Sequence, residues 1–325
     1  MRIQNYLAVF SLTLFTAVSM NGTAHAQNKV VVIPMAGDAE PLQNIITVSA
    51  QNGDFTSPIA AMNSINDASS SNPYLIVLGP GSYPITGQLV MKDYVSITGS
   101  GMDTSEIRGA VGANGFTESA ALIVGAREAQ ISDLSIVNSV GQNVVIGVHT
   151  SQEDMRISRT RVVVFGANDQ QFGVVNQEAE LKLYESEITN TGSGGSCYGI
   201  YSYSNAVIKV SDTDISLNCN NGTQYGIYTN ATSVSYIDST FIDIDVVGVG
   251  SNNSYGYFSN GNNSKGYISD SIIGGQDSSI YGGTSNGIFN ITHVSNTELR
   301  SHGSGNVNCN FTRLTTGFVL DNECS

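Results

Sequence analysis

Three cations recur along the chain at nearly constant spacing: Arg156, Lys182 and Lys209, separated by 26 and 27 residues. Three acids, Glu128, Asp154 and Glu180, repeat with the 26-residue interval, the last two each two residues ahead of a cation. Such spacing suits an acidic sugar polymer. A lysine or arginine crowded by other cations has a depressed pKa and can take the proton α to a uronate carboxyl group. Carboxylates or Ca²⁺ would neutralise the acid. Lys182, Lys209 and Arg156 are therefore the candidate catalytic residues, with Glu180 and Tyr184 beside them as candidate binding residues. The same groups also read as a solvated ladder in which acids and bases offset each other diagonally.

An aromatic series, Tyr201, Tyr228, Phe258 and Phe289, recurs with similar spacing. If it points outward it could stack on sugar rings, contact another subunit or lie under a long turn. His149 falls in the same column, where a lone histidine is most simply structural. Two acidic series, Glu185, Asp212 and Asp238, and Glu187 and Asp214, would repel unless a cation binds or one acid stays protonated. Glu187 and Asp214 are the candidate Ca²⁺ ligands, against the alternative of ordinary turn acids relieved by Arg159 and Arg161. No other cofactor is implied.

These residues share a column only if the chain is a stack of repeating units. Two landmarks say that it is. The first is Ile146-Gly147-Val148, Phe172-Gly173-Val174, Tyr198-Gly199-Ile200, Tyr225-Gly226-Ile227, Tyr255-Gly256-Tyr257 and Asn286-Gly287-Ile288. Ala121-Leu122-Ile123 fits one period earlier. The second is a six-residue unit starting at Ile131, Ile157, Leu183, Val210, Tyr236, Tyr267 and Val294. Each unit is too short to bury its own apolar face, so stacked units must do it, about 4.8 Å apart. Apolar–polar alternation such as Ala206, Ile208 and Val210 is strand periodicity. Val148, Val174, Ile200, Ile227, Tyr257 and Ile288 are the predicted inward column, and Phe172, Tyr198, Tyr225 and Tyr255 should share its side. The sequence thus predicts an all-β, right-handed, single-stranded parallel β-helix. Phe55, Ile59 and Met62 around Pro58 predict a short N-terminal capping helix, which would protect the open edge of the first rung.

The chain opens with a short basic start, an apolar run from Leu7 to Val18 and the small-x-small site Ala24-His25-Ala26, the pattern of a secretory signal. The expected organisation is a signal peptide over 1–26, an N-terminal extension and capping helix over 27–73, rungs over 74–300 and a disulfide-held cap over 301–325. Removing 1–26 takes away Arg2 and no acid, so the net charge of −14 becomes −15. Such a chain is a poor nucleic-acid binder, and no later apolar run is long enough to span a membrane. Four cysteines in an exported protein suggest two disulfides, with Cys197–Cys219 and Cys309–Cys324 favoured among three pairings. The absence of CxxC spacing argues against zinc and redox chemistry. Export to the periplasm or beyond follows.

The stretch from Asp54 to Gly109 resembles the start of pectin-lyase-like β-helix proteins. Units such as Tyr198-Gly-Ile-Tyr-Ser and the Cys309–Cys324 tail resemble uncharacterised secreted bacterial tandem-rung proteins. The resemblance implies the fold and leaves activity open, because the fold hosts lyases, esterases, adhesins and phage spikes. The sequence departs from the enzyme motifs. It has no Asp-Asp dipeptide and no Arg-x-Pro-x-x-Arg run. Ser301-His302-Gly303 is the nearest match to a Gly-His-Gly turn, and Phe165-Gly-Ala-Asn-Asp169 only superficially echoes a pectinesterase motif. The leading expectation is therefore a non-catalytic secreted protein that binds a surface glycan or a protein through one side. The alternatives are a polyuronide-lyase-type enzyme and a structural envelope or appendage component.

Overall fold

The computed structural model describes residues 44–151, 154–192, 194–220, 222–244, 253–260, 264–275 and most of 278–314. The predicted signal peptide over 1–26, residues 27–43 of the expected extension and Cys324 lie outside the described residues. So does most of the 301–325 cap, including His302, although Cys309 aligns with Val294 in a strand.

The chain is a parallel β-helix with three ladders, called faces below. The first face runs from Asn44–Val48 and Tyr74–Leu78 through Glu180–Tyr184, Val207–Ser211 and Val234–Asp238 to Val307–Asn310. The second runs from Gly81–Ile85 through Glu187–Gly192 and Asp214–Cys219 to Arg313–Leu314. The third contains Val144–Ser151, Gln170–Gln177, Ser196–Tyr203, Gln224–Thr229, Ser254–Ser259 and Ser278–Gly282. Every pairing within these ladders is parallel, as stacking of successive turns requires.

The corner between the first and second faces explains the six-residue landmark. Asp133, Arg159, Glu185, Asp212, Ser239 and Asp270 all adopt left-handed φ, between 45° and 57°. That conformation is unfavourable for a residue with a side chain. After every one of them but Asp133, which Leu134 follows, a hydroxyl offsets the cost. Thr160, Ser186, Thr213, Thr240 and Ser271 are buried, and each donates to the carbonyl two residues back at 2.6–2.9 Å. A Ser or Thr after the corner residue is thus a turn device repeated rung by rung.

The interior is aliphatic. Val148, Val174, Ile200, Ile227 and Tyr257 stand in register, all fully buried, as predicted. The predicted sixth member does not. Ile280 pairs with Tyr257, while Ile288 and Phe289 form an antiparallel hairpin with Ser285 and Thr284. Ser279-Ile280-Tyr281 therefore replaces Gly287-Ile288-Phe289 in the rung. It preserves the small–aliphatic–aromatic order, and Ser279 and Ile280 are fully buried. Tyr257 is the one bulky intruder in the column. It fits because Gly266 leaves room: a Cβ there would meet the tyrosine hydroxyl at 2.6 Å.

The capping helix spans Pro58–Ser64, with Ser57 as its N-cap, and buries Ala61 and Met62 against the first turn. Cys197 and Cys219 are bonded with a Cα–Cα distance of 6.4 Å, tying the third face to the end of the second across one turn. Both are fully buried, and the Gln171 amide nitrogen lies 2.9 Å from each sulfur.

Candidate functional site

The first face brings the basic series together. Gln130, Arg156, Lys182, Lys209, Tyr236 and Tyr267 occupy one register position on six successive rungs. Met155, Leu181 and Ile208 on one side and Ile157, Leu183 and Val210 on the other point inward and are buried, so this column must point out. Tyr236 and Tyr267 stack with centroids 5.1 Å apart and are 46% and 37% exposed, high for tyrosine in a sheet. Beyond them the face sinks into a depression of about 480 Å³ lined by Tyr184, Lys209, Ser211, Tyr236, Asp238 and Tyr267, among others.

The electrostatics differ from those expected of crowded cations. Glu180 sits between Lys182 and Lys209, its Oε1 2.9 Å from both ammonium nitrogens. Those contacts hold the Glu180 carboxyl below its usual pKa, and the Glu180 hydrogen bond raises the Lys209 amine above its own. Lys209 is therefore a standing cation at neutral pH, the opposite of a depressed general base. Arg156 is exposed and makes no ion pair with any described residue, leaving it free for an anion.

The acidic series are only partly in register. Glu185 and Asp212 are corner residues, but Asp238 pairs with Ser211, one position short of the corner. Arg159 bonds Asp133 at 2.6 Å and lies 3.8 Å from Glu185. Glu187 and Asp214 do align. Arg161 takes Glu187 at 2.5 Å and Asp103 at 2.6 Å, so the candidate Ca²⁺ pair is already half engaged. Burial, then the Glu187 charge, raises the Asp214 carboxyl.

The third face carries the aromatic series, altered in two ways. Tyr201, Tyr228 and Phe258 align as predicted, but the next member is Tyr281, not Phe289. The second set, Phe172, Tyr198, Tyr225 and Tyr255, was expected inside with the aliphatic column and instead lies outside. The glycine and the aliphatic residue after it both face inward, which breaks the alternation and puts the aromatic on either side of the pair outward. The two columns interlock. Rings stack along each column, 4.6 Å apart at Phe172–Tyr198 and 5.1 Å at Tyr201–Tyr228. Across the columns they meet edge to face, as Tyr225 and Tyr228 do at 4.9 Å. Ring faces are thus spent on neighbouring rings, and what points outward is edges and hydroxyls. Burial pushes the Tyr225 hydroxyl up to about 12.

His149 ends this column beneath the Glu118–Ala120 turn, aligned with Val175 and 3% exposed. Its Nδ1 has no hydrogen-bond partner and lies 3.9 Å from Glu118 Oε2. Burial pushes its pKa down from 6.5 to about 4. The unfolded chain therefore binds the extra proton first, and stability is full above pH 6.5 and lost as pH falls toward 4. Between pH 6.5 and about pH 5 the loss should be about 2 kcal/mol, at 1.36 kcal/mol per unit. His149→Gln should flatten the urea midpoint over that window, and an unchanged slope would show that another group governs it.

No protein-family model matches the sequence, and no curated protein does. Solved structures do match. A pectin methylesterase from Aspergillus niger is 13% identical, with 80% of this chain and 87% of that chain covered and a TM-score of 0.60. The carrot pectin methylesterase is 16% identical over 82% and 85%, with a TM-score of 0.54. The Erwinia chrysanthemi pectin methylesterase is 11% identical over 88% and 93%, also with 0.54. At these identities the likeness is one of fold, and the fold of this chain is that of the pectin-lyase-like parallel β-helices.

Proposed function

We propose that this is an exported, non-catalytic glycan-binding β-helix whose binding side is the first face. The observation that carries the reading is the single outward column Arg156–Lys182–Lys209–Tyr236–Tyr267, one residue per rung, opening on the depression between Tyr184 and Tyr267. An extended polysaccharide laid along the solenoid meets a new side chain about every 4.8 Å. Acidic groups would pair with Arg156 and the lysine end, and sugar rings would lie against Tyr236 and Tyr267. The buried disulfide fits an oxidising compartment, and among the described residues no helix is long and apolar enough to cross a membrane.

The charge state of Lys209 favours binding over proton abstraction. A glycan array followed by calorimetry on the best acidic oligosaccharide tests the reading. Lys209→Ala combined with Tyr236→Ala should weaken binding by about a hundredfold, taking about 1.4 kcal/mol for each lost contact, without moving the thermal midpoint. Unchanged affinity in that double variant removes the first face from consideration.

The rival reading is a carbohydrate-active enzyme, favoured by the shared fold with pectin methylesterases. Release of methanol or of unsaturated uronate from a methyl-esterified polyuronide would replace the binding reading with this one. Loss of that release in Lys182→Ala, with the fold intact, would place Lys182 in the mechanism. A purely structural appendage role would instead show as open-ended self-association.

A further inference from the structure

The third face carries an inference independent of the glycan reading. From Val144–Ser151 to Ser278–Gly282, its six strands contain no Asp, Glu, Lys or Arg. The chain carries a net charge of −14, and the other two faces hold Glu180, Lys182, Lys209, Arg161, Glu187 and Asp214. Apart from Glu118, which lies over His149 at one end, the described residues make this a broad side of uncharged strands covered with aromatic rings. Two copies meeting through either other face would have to desolvate several of these charges; meeting through these strands they would bury none of them.

The chain itself shows how the rings accept another surface. Phe116, from the loop before the Glu118–Ala120 turn, lies over one end of the array. Its centroid is 5.0, 5.5 and 5.8 Å from those of Phe172, Tyr201 and Tyr203, at interplanar angles of 53–72°. It meets Phe172 tilted and Tyr201 and Tyr203 in T-shaped contacts, a favourable geometry for aromatic pairs. Tyr225, Tyr228, Phe258 and Tyr281, farther along, remain half-buried with the same edge-out arrangement.

We infer that this face is the contact surface for a second copy of the chain, paired about a two-fold axis. The sugar alternative is weaker here, because sugars stack on ring faces and these faces are already covered. A surface complementary to an uncharged aromatic sheet is another such sheet, and a two-fold pair sets the same patch on both partners. Val144–Ser151 and Gln170–Gln177 are already covered, so the four strands from Ser196–Tyr203 to Ser278–Gly282, about 4.8 Å apart and about 16–26 Å long, give on the order of 400 Å² per copy. The total of roughly 800 Å² falls below the usual size of a stable specific interface, so the dimer should be weak and reversible. It should also tighten with added salt, which screens the net negative charge of each copy.

Sedimentation velocity on the mature, disulfide-intact chain over a concentration series tests this. The expected result is a monomer–dimer equilibrium that shifts toward dimer in salt. Tyr228→Lys should leave only monomer, with unchanged far-ultraviolet circular dichroism, while Lys209→Ala with Tyr236→Ala should dimerise normally. A wild-type chain that stays monomeric throughout, or a Tyr228→Lys chain that still dimerises, overturns the inference. So does an open-ended polymer, or a monomer that binds neutral oligosaccharides through Tyr228. Should Tyr228→Lys fail to fold, Tyr281→Lys at the edge of the array replaces it. Hydrogen exchange on wild-type protein then decides: slowing at high concentration must fall on Ser196–Tyr203 and Gln224–Thr229, and slowing on the first face instead overturns the pairing.

Discussion

Removing the Cys197–Cys219 bridge, by Cys197→Ala with Cys219→Ala, should lower stability by about 3 kcal/mol, the chain-entropy value for a loop of this size. The loop closes 22 residues and both sulfurs are fully buried, so the loss combines greater freedom of the unfolded chain with two small cavities. The effect should be local. Each turn of a solenoid touches only its neighbours, so a weakened turn opens without taking distant turns with it. Hydrogen exchange should therefore quicken in Gln170–Gln177, Ser196–Tyr203 and Gln224–Thr229, the strands flanking the bridge. Val95–Thr98 and Ser105–Gly109 near the first turn should be unaffected. Gln171 should respond most, because its amide packs on both sulfurs. Uniform acceleration along the whole chain would instead mean that the bridge acts on global unfolding and that the turns are not independent.

The repeat made the fold legible because one physical demand recurs every turn. The inward glycine, the aliphatic residue after it and the corner hydroxyl all answer crowding at a fixed place in the rung, and a constant demand leaves a constant residue. The same logic found Cys197–Cys219, since 22 residues is nearly one turn. Legibility failed where spacing alone set the register. Starting the six-residue units at Tyr236 and Tyr267 puts those tyrosines in the inward column with Val210, whereas the structure puts Ile237 and Ile268 there. That slip of one residue reverses a side chain's face. It hid the two exposed tyrosines that extend the basic column, and it set Asp238 opposite Asp212 instead of Ser211. The signal that could have found them is the Ser or Thr after the corner: Thr213, Thr240 and Ser271 are in step, and counting back from them fixes the frame. Phe289 failed for a different reason. Gly287-Ile288-Phe289 satisfies the rung pattern, but so does Ser279-Ile280-Tyr281, and the second continues the ladder after Ser259 with fewer intervening residues.

The solenoid therefore separates two kinds of surface by geometry. The first face keeps strict alternation, so its charged and aromatic side chains stand in separate outward columns that meet as ion pairs and as the Tyr236–Tyr267 stack. The third face has two inward residues in succession, so it projects two aromatic columns close enough to interlock. The six described strands of the third face carry no charged side chain, so the glycan and the second copy proposed above would meet different surfaces.

Gly226→Ala should cost about 3 kcal/mol, at the upper end of overpacking penalties, despite adding one methyl group. Conformation is not the cause: Gly226 is absent from the residues with positive φ. Space is. A Cβ at Gly226 would lie 2.4 Å from the Gly256 carbonyl oxygen and 2.4 Å from Ile242 Cγ2. The Ile242 contact can be relieved by a smaller side chain, but the oxygen belongs to the next rung's backbone and is held by the parallel ladder. Adding Ile242→Ala should therefore recover little, because it trades the collision for a cavity and leaves the oxygen in place. The strand must move outward instead, carrying Tyr225 and Tyr228 away from Tyr198, Tyr201 and Phe258. Near-ultraviolet circular dichroism from the tyrosine columns should then fall along with stability, and the chain should lose its tendency to pair. Gly199→Ala should behave alike, with the Gly226 oxygen at 2.4 Å and Ile215 Cγ2 at 2.5 Å. A full recovery of stability in Gly226→Ala with Ile242→Ala would show that the side chain sets the limit, and that the inward glycine column is a packing preference and not a backbone constraint.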